Sequence, residues 1–186
     1  MNENEIITVV TGLPRSGTSL MMQLLEKIGI NPMTDGVRTR DASNPEGYYE
    51  YERVKGIFKD NSFLSLCKGK SVKIVTPLPM FLDKKLNYRV LFMRRAMEEI
   101  LKSQETMLKK DQQAEREKFS TIYSQHLAKT YQFLENSKIA YLDVEHRSLI
   151  NDSESEIKKI LTFLEKDADL TSLINIVKPD LYRNRI

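Results

Sequence analysis

An α/β fold built around a parallel sheet is the class this sequence predicts, and three observations predict it. Residues 6–10 form an apolar β-type run that enters a loop bounded by Gly12 and Gly17 and leaves it as a helical stripe, Leu20, Met21, Leu24, Leu25 and Ile28, closed by Gly29. Residues 88–93 are near-continuously apolar, the pattern of a strand buried on both faces of a parallel sheet. Strand and helix patterns alternate along 186 residues without an internal repeat, low-complexity tract or linker, which predicts one domain over 1–186.

The first connection reads Gly12-Leu13-Pro14-Arg15-Ser16-Gly17-Thr18-Ser19. A glycine-bounded loop at a helix N-terminus aims several backbone N–H groups and the positive end of the helix dipole at one point, which makes an anion cradle. The triphosphate-binding Walker A loop is G-x-x-x-x-G-K-[ST], whereas here Thr18 stands in the lysine's place and the cation, Arg15, lies earlier. A triphosphate with its metal needs concentrated positive charge at the β and γ phosphates. One phosphate with a singly charged sulfuryl group is held by N–H donors, hydroxyls and a single side cation. The plainer alternative is a strand-to-helix turn that uses its two glycines for packing. The loop resembles the 5′-phosphosulfate loop of the sulfotransferase family, Pro-Lys/Arg-Ser-Gly-Thr-Thr/Ser, and Pro14, Arg15, Ser16, Gly17, Thr18 and Ser19 fit it position by position.

Residues 30–70 carry turn and breaker signals, Asn31-Pro32, Asp35-Gly36, Ser43-Asn44-Pro45 and Glu46-Gly47, which predict a long surface excursion. Long ordered loops in compact domains are often functional. Within it, Asn44-Pro45-Glu46-Gly47-Tyr48-Tyr49-Glu50 resembles an Asn-Pro-x-Gly-aromatic-aromatic-Glu segment of bacterial sulfotransferase-like sequences. Residues 51–58 then read as a short helix through Tyr51, Val54, Ile57 and Phe58. Rim packing by Tyr48, Tyr49 and Tyr51 stays open as their role.

A short strand is expected at 71–75, stopped by Thr76-Pro77-Leu78-Pro79, and a central one at 88–94, ending in Arg94-Arg95 at the edge where open α/β sheets bind ligands. A helix follows from Met97 through Ile100, Leu101, Gln104 and Leu108. Started at Arg95, it would set positions 95, 99 and 103 on one stripe, so a guanidinium and a hydroxyl converge. Sulfotransferases place an Arg at the end of this strand and a Ser eight residues later on the 3′-phosphate of 3′-phosphoadenosine 5′-phosphosulfate (PAPS). The resemblance therefore implies Arg95 and Ser103 as ligands, with Arg94 as a substitute and Met97 where the family usually has Pro. A surface pair neutralised by Glu98 and Glu99 is the other reading.

Residues 110–137 predict a long amphipathic helix with Phe119, Ile122, Tyr123, His126, Leu127, Thr130, Tyr131 and Leu134 on one face, so His126 reads as a core residue. Residues 138–144 predict the last strand, His146 the turn after it, and Ser153-Glu154-Ser155-Glu156 a capping box before Ile157, Ile160, Leu161 and Leu164. The tail at 178–185 resembles the end of bacterial members.

Composition bounds the rest. Hydrophobic residues at 40% and charged ones at 30% describe a globular chain. No apolar run reaches the roughly 20 residues of a bilayer span, and the start lacks a signal-peptide pattern, so a cytoplasmic protein without a membrane partner is expected. Cys67 stands alone and reads as a buried small hydrophobe, and the dispersed charge, +3 in sum, calls for no nucleic acid.

Taken together the resemblance implies a three-layer P-loop-type α/β domain with about four to five parallel strands and helices on both faces. It implies transfer of sulfuryl from PAPS, a co-substrate, to a hydroxyl or amine of a small-molecule or glycan acceptor, without a metal. A small-molecule kinase is disfavoured by Thr18, although Asp143 could serve a magnesium ion; an inactive nucleotide-binding regulator stays open. Cytosolic sulfotransferases carry Lys-Thr-His-Leu-Pro where this chain has Lys73-Ile74-Val75-Thr76-Pro77, so Lys73 is matched and their catalytic His is replaced by Val75. The base is therefore expected to be a carboxylate, Glu50, with Glu46 and Asp41 behind it, while Lys73 and Arg15 stabilise the leaving oxygen. Acceptor choice is expected within 31–70, where Tyr48, Tyr49, Phe58 and Phe63 suit an apolar acceptor and Arg38, Arg40 and Arg53 an acidic one.

Overall fold

The structure, a computed structural model, describes residues 3–38, 47–108 and 113–178. Asp41, Asn44, Pro45 and Glu46, Arg40, and the tail beyond 178 lie outside them. Four strands, β1 (Ile6–Gly12), β2 (Ser71–Lys73), β3 (Asn87–Arg94) and β4 (Ala140–Glu145), form one parallel sheet in the order β2-β1-β3-β4. The helices are α1 (Thr18–Ile28), α2 (Met97–Leu108), α3 (Arg116–Asn136), α4 (His146–Asn151), α5 (Ser153–Leu164) and α6 (Leu170–Ile174).

All seven residues of β1 are buried, as a central strand covered on both faces requires. Its alternation divides the core. Val10, with Leu91 and Met93 of β3, packs against α1, α4, α5 and α6. Ile7 and Val9, with Val90 and Phe92, face Leu134 of α3 and the 3₁₀ turns at Glu52–Gly56 and Ser62–Cys67. Register sets Val9 level with both Val72 and Val90, which brings Gly12, Lys73 and Arg94 to the same carboxyl edge.

Three expectations are corrected. The strand at 71–75 has three regular residues; Ile74 N–H still donates to the Val10 carbonyl at 2.9 Å and Thr76 N–H to that of Gly12 at 3.0 Å, until Pro77 has no N–H to give. The expected helix at 51–58 is a 3₁₀ turn, and much of the excursion is core: Val54, Ile57, Phe63, Leu64 and Cys67 are buried under the sheet. The Cys67 thiol is pushed up to about 11 by that burial. The long helix starts at Arg116, and only Thr130 and Leu134 on it are buried. Its first half faces α2, where Arg116 pairs with Glu105 at 2.6 Å and the Tyr123 hydroxyl donates to Gln104 at 2.5 Å, so His126 is half-buried rather than core.

Candidate active site

Three features at the carboxyl edge of the sheet define the loop. Gly12 has φ 136° and Gly17 φ 101°, conformations that side chains resist, and neither has room for one. A Cβ on Gly12 would lie 2.5 Å from the Met93 carbonyl oxygen, and one on Gly17 2.4 Å from Cδ2 of His146. Gly17 is the N-cap of α1, so the first N–H groups of that helix open onto the loop. Arg15 itself is held at φ 72°. The buried hydroxyl oxygens of Thr11, Ser16 and Thr76 have no hydrogen-bond partner among the described residues, and all three lie about Gly12. A cradle that Cβ atoms would fill, at a helix N-terminus, with an unsatisfied Ser16 hydroxyl beneath it, fits a phosphosulfate group.

On one side of the loop stand the predicted 3′-phosphate residues. Nε of Arg15 donates to the Ser103 hydroxyl at 3.1 Å. Arg95 donates from Nη1 to the Arg15 carbonyl at 3.1 Å and from Nε to Glu99 at 2.8 Å, a pair with both side chains below a tenth exposed. The stripe of positions 95, 99 and 103 is therefore real although α2 starts at Met97, and the acidic neighbour weighed in the sequence, Glu99, is Arg95's buried partner. Arg94 turns away: its Nη1 donates to the Tyr131 hydroxyl at 2.8 Å, and that hydroxyl donates to Asp143 at 2.5 Å. This engages Asp143 as well, the residue that a kinase would need for magnesium.

His146, expected in a turn, is the first residue of α4 and lies buried against Gly17. Burial first, then the Arg95 charge, holds its imidazole down at about 4, so it is neutral at pH 7. Sequence gave one hint, an ionisable residue directly after a strand, but its contact with the loop depends on tertiary placement.

On the other side, Lys73 ends β2 and is buried. Its Nζ lies 3.7 Å from Glu50 Oε1 and donates to the Tyr48 carbonyl. Desolvation pulls its ammonium down to about 8, against the opposing pull of Glu50, and Arg38 and Arg15 lower it further. Arg38 pairs with the same Oε1 at 2.6 Å and lies over the Tyr48 ring at 3.5 Å. Both cations sit on Oε1, leaving Oε2 without a hydrogen bond among the described residues. A clasp places Glu50: Asp35 accepts from the N–H groups of Val37 and Glu52, and the Thr34 hydroxyl donates to the Glu50 carbonyl at 2.9 Å. Tyr49 is tied instead to Glu26 at 2.7 Å, and Tyr51 packs edge-on against Phe63. Among the described residues no group of three or more His, Cys, Asp or Glu is placed to hold a metal ion, and no helix is long and apolar enough to cross a membrane.

No protein-family model matches the chain, and no curated protein does. Solved structures do. A retinol dehydratase in complex with androsterone and the inactive cofactor PAP superposes with a TM-score of 0.59 at 15% identity over 98% of this chain, which spans 65% of the length of that protein. The sulfotransferase domain of the Synechococcus PCC 7002 olefin synthase gives 0.51 at 14% identity, over 98% of this chain and 80% of that one. The chain has a sulfotransferase-like α/β fold with a four-stranded parallel sheet.

Proposed function

We propose that the chain transfers a sulfuryl group from PAPS to an acceptor hydroxyl or amine. The observation that carries the reading is the cradle: Gly12 and Gly17 leave no room for a Cβ, α1 opens onto the loop at Gly17, and the loop's cation, Arg15, bonds Ser103 at 3.1 Å. The donor supplies the sulfuryl group, which passes to the acceptor as its bond to the phosphate oxygen breaks. The loop Pro14 to Ser19 holds the phosphosulfate, through the N–H groups at the start of α1 and the hydroxyls of Ser16, Thr18 and Ser19, while Arg95 and Ser103 with Arg15 take the 3′-phosphate. Glu50 Oε2 accepts the acceptor's proton. Lys73 and Arg15 meet the charge that builds on the departing oxygen, the task that a metal performs in phosphoryl transfer. Support for the donor comes from the fold shared with a PAP-bound protein; support for the chemistry comes from the cluster itself.

The nucleotide half of the reading is tested by calorimetry with adenosine 3′,5′-bisphosphate (PAP) and adenosine 5′-monophosphate. A charge-assisted contact is worth about 1.5 to 3 kcal/mol, so Arg95→Ala should cost at least roughly tenfold in PAP affinity and bring the two nucleotides together. Because that change strands Glu99, the double variant Arg95→Met with Glu99→Met, which leaves no buried charge, should show the same loss of discrimination. Equal affinity of the unaltered protein for both nucleotides would remove the 3′-phosphate assignment.

Lys73 gives the reading a pH signature. The charged form is the useful one, and its pKa is about 8, so kcat/KM should fall as pH rises through about 8. Lys73→Arg, which stays protonated, should move that limb to more alkaline pH. The sign in stability is opposite: between about 8 and the ordinary 10.5 the folded state holds fewer protons than the unfolded one, so stability climbs with pH across that window. A kcat/KM profile flat through this range would remove Lys73 from the reaction.

A further inference from the structure

The sequence leaves the acceptor open between an apolar surface and an acidic group, and the positions of the candidates separate the two. Phe63 is sealed in the core, Tyr49 is bonded to Glu26, Phe58 leans on Phe81, and the Tyr48 ring is covered by a guanidinium. Of the arginines, Arg53 is engaged by Asp60 at 3.0 Å. Arg38 lies on the Lys73–Glu50 pair itself.

Resting on the sulfotransferase reading, we propose that the acceptor is an anionic small molecule, with a carboxylate or sulfate beside the hydroxyl that receives sulfuryl, and that Arg38 is the residue that selects it. Three observations carry this. Arg38 is pre-ordered, one face on Tyr48 at 3.5 Å and Nη1 on Glu50 at 2.6 Å, with 42% of its side chain still exposed. A guanidinium offers five N–H donors in a rigid fork, and among the described residues a single side-chain hydrogen bond is drawn from this one, so an edge remains for a planar anion. The third is charge. Arg15 and Lys73 match the donor's phosphosulfate, and Glu50 matches Arg38 only until it takes the acceptor's proton. Proton transfer from the acceptor O–H to Glu50 neutralises the carboxylate and leaves Arg38 without a counter-charge. An anionic group already seated on Arg38 holds the balance through the transition state, so it accelerates transfer as well as aiding binding.

The test uses labelled PAPS with phenols that carry one acceptor hydroxyl each and differ in whether the carboxyl group is charged: meta-hydroxybenzoate against its methyl ester, and para-hydroxyphenylacetate against its methyl ester. The unaltered protein should prefer the carboxylate of each pair by about tenfold or more in kcat/KM. Arg38→Gln should reduce that ratio to about twofold or less with PAP affinity unchanged by calorimetry, and Arg38→Lys, which keeps the charge and loses the fork, should fall between. Equal use of both members by the unaltered protein, or a preference that survives Arg38→Gln, overturns the proposal. If PAP binds but no acceptor of either charge is labelled, the sulfotransferase reading falls and takes this one with it.

Discussion

Gly17→Ala is expected to reduce PAP affinity by at least about a hundredfold, roughly 2.7 kcal/mol, while the sheet stays folded. Two independent costs meet at this position. The added Cβ would stand 2.4 Å from Cδ2 of His146, a buried side chain fixed at the start of α4, and 3.3 Å from Cε of Met93. The backbone at φ 101° also suits glycine and strains alanine, at about 1 to 3 kcal/mol. Relief of either moves the loop and the first N–H groups of α1 together, which are the groups that meet the anion. Gly29→Ala is the control: it ends the same helix at φ 95° with nothing within 4 Å of its Cβ, so it should cost stability and leave PAP affinity within about twofold. Removing the obstacle, in Gly17→Ala with His146→Ala, should restore part of the affinity and leave the part due to φ. Calorimetry of the four proteins separates these contributions, and unchanged affinity in Gly17→Ala would show that the loop does not hold the anion.

The same residues explain what the sequence made legible. β1, the loop and α1 are readable because two glycines and a 3.6-residue stripe leave few other conformations open, and β3 is readable because a strand covered on both faces must be apolar throughout. The segment from 52 to 67 is not, since Val54 and Ile57 stand three apart, a spacing that α and 3₁₀ turns share. Glu99 and Ser103 lie in α2 and Arg95 two residues before it, close enough in sequence for spacing to predict contact. His146 under Gly17 and Arg38 on Glu50 are tertiary contacts: one follows from the parallel register of β1, β3 and β4, the other from the Asp35 clasp, and no local pattern encodes either. Glu50 as the base is an expectation by elimination, because Val75 occupies the position of the family's histidine, whereas its 3.7 Å approach to Lys73 is a tertiary contact that no local pattern encodes.

Glu50→Gln is the change expected to bear most heavily on chemistry. A positioned general base contributes about 10² to 10⁴-fold, so kcat should fall by that order. The isosteric amide keeps an oxygen that can still accept from Arg38 or Lys73, so the site should keep its shape, and PAP affinity should stay within about twofold because Glu50 lies on the acceptor side. Lys73→Ala is expected to behave differently. It strands Glu50 with Arg38 alone and removes charge from the leaving oxygen, so kcat falls, whereas Arg15→Ala should lower both kcat and PAP affinity because Arg15 bonds Ser103 and belongs to the loop. An anionic acceptor sharpens the comparison. In Glu50→Gln, Arg38 has no carboxylate partner at any stage, so the acceptor's own anion binds it with less competition: KM for meta-hydroxybenzoate should fall or hold while kcat collapses. A structural role for Glu50 predicts the reverse, a raised KM with kcat preserved, since the loss of its ion pair with Arg38 would loosen that guanidinium and the acceptor would be held less well. Steady-state kinetics with labelled donor distinguish the two patterns, and turnover near that of the unaltered protein would move the base to Glu46 or Asp41.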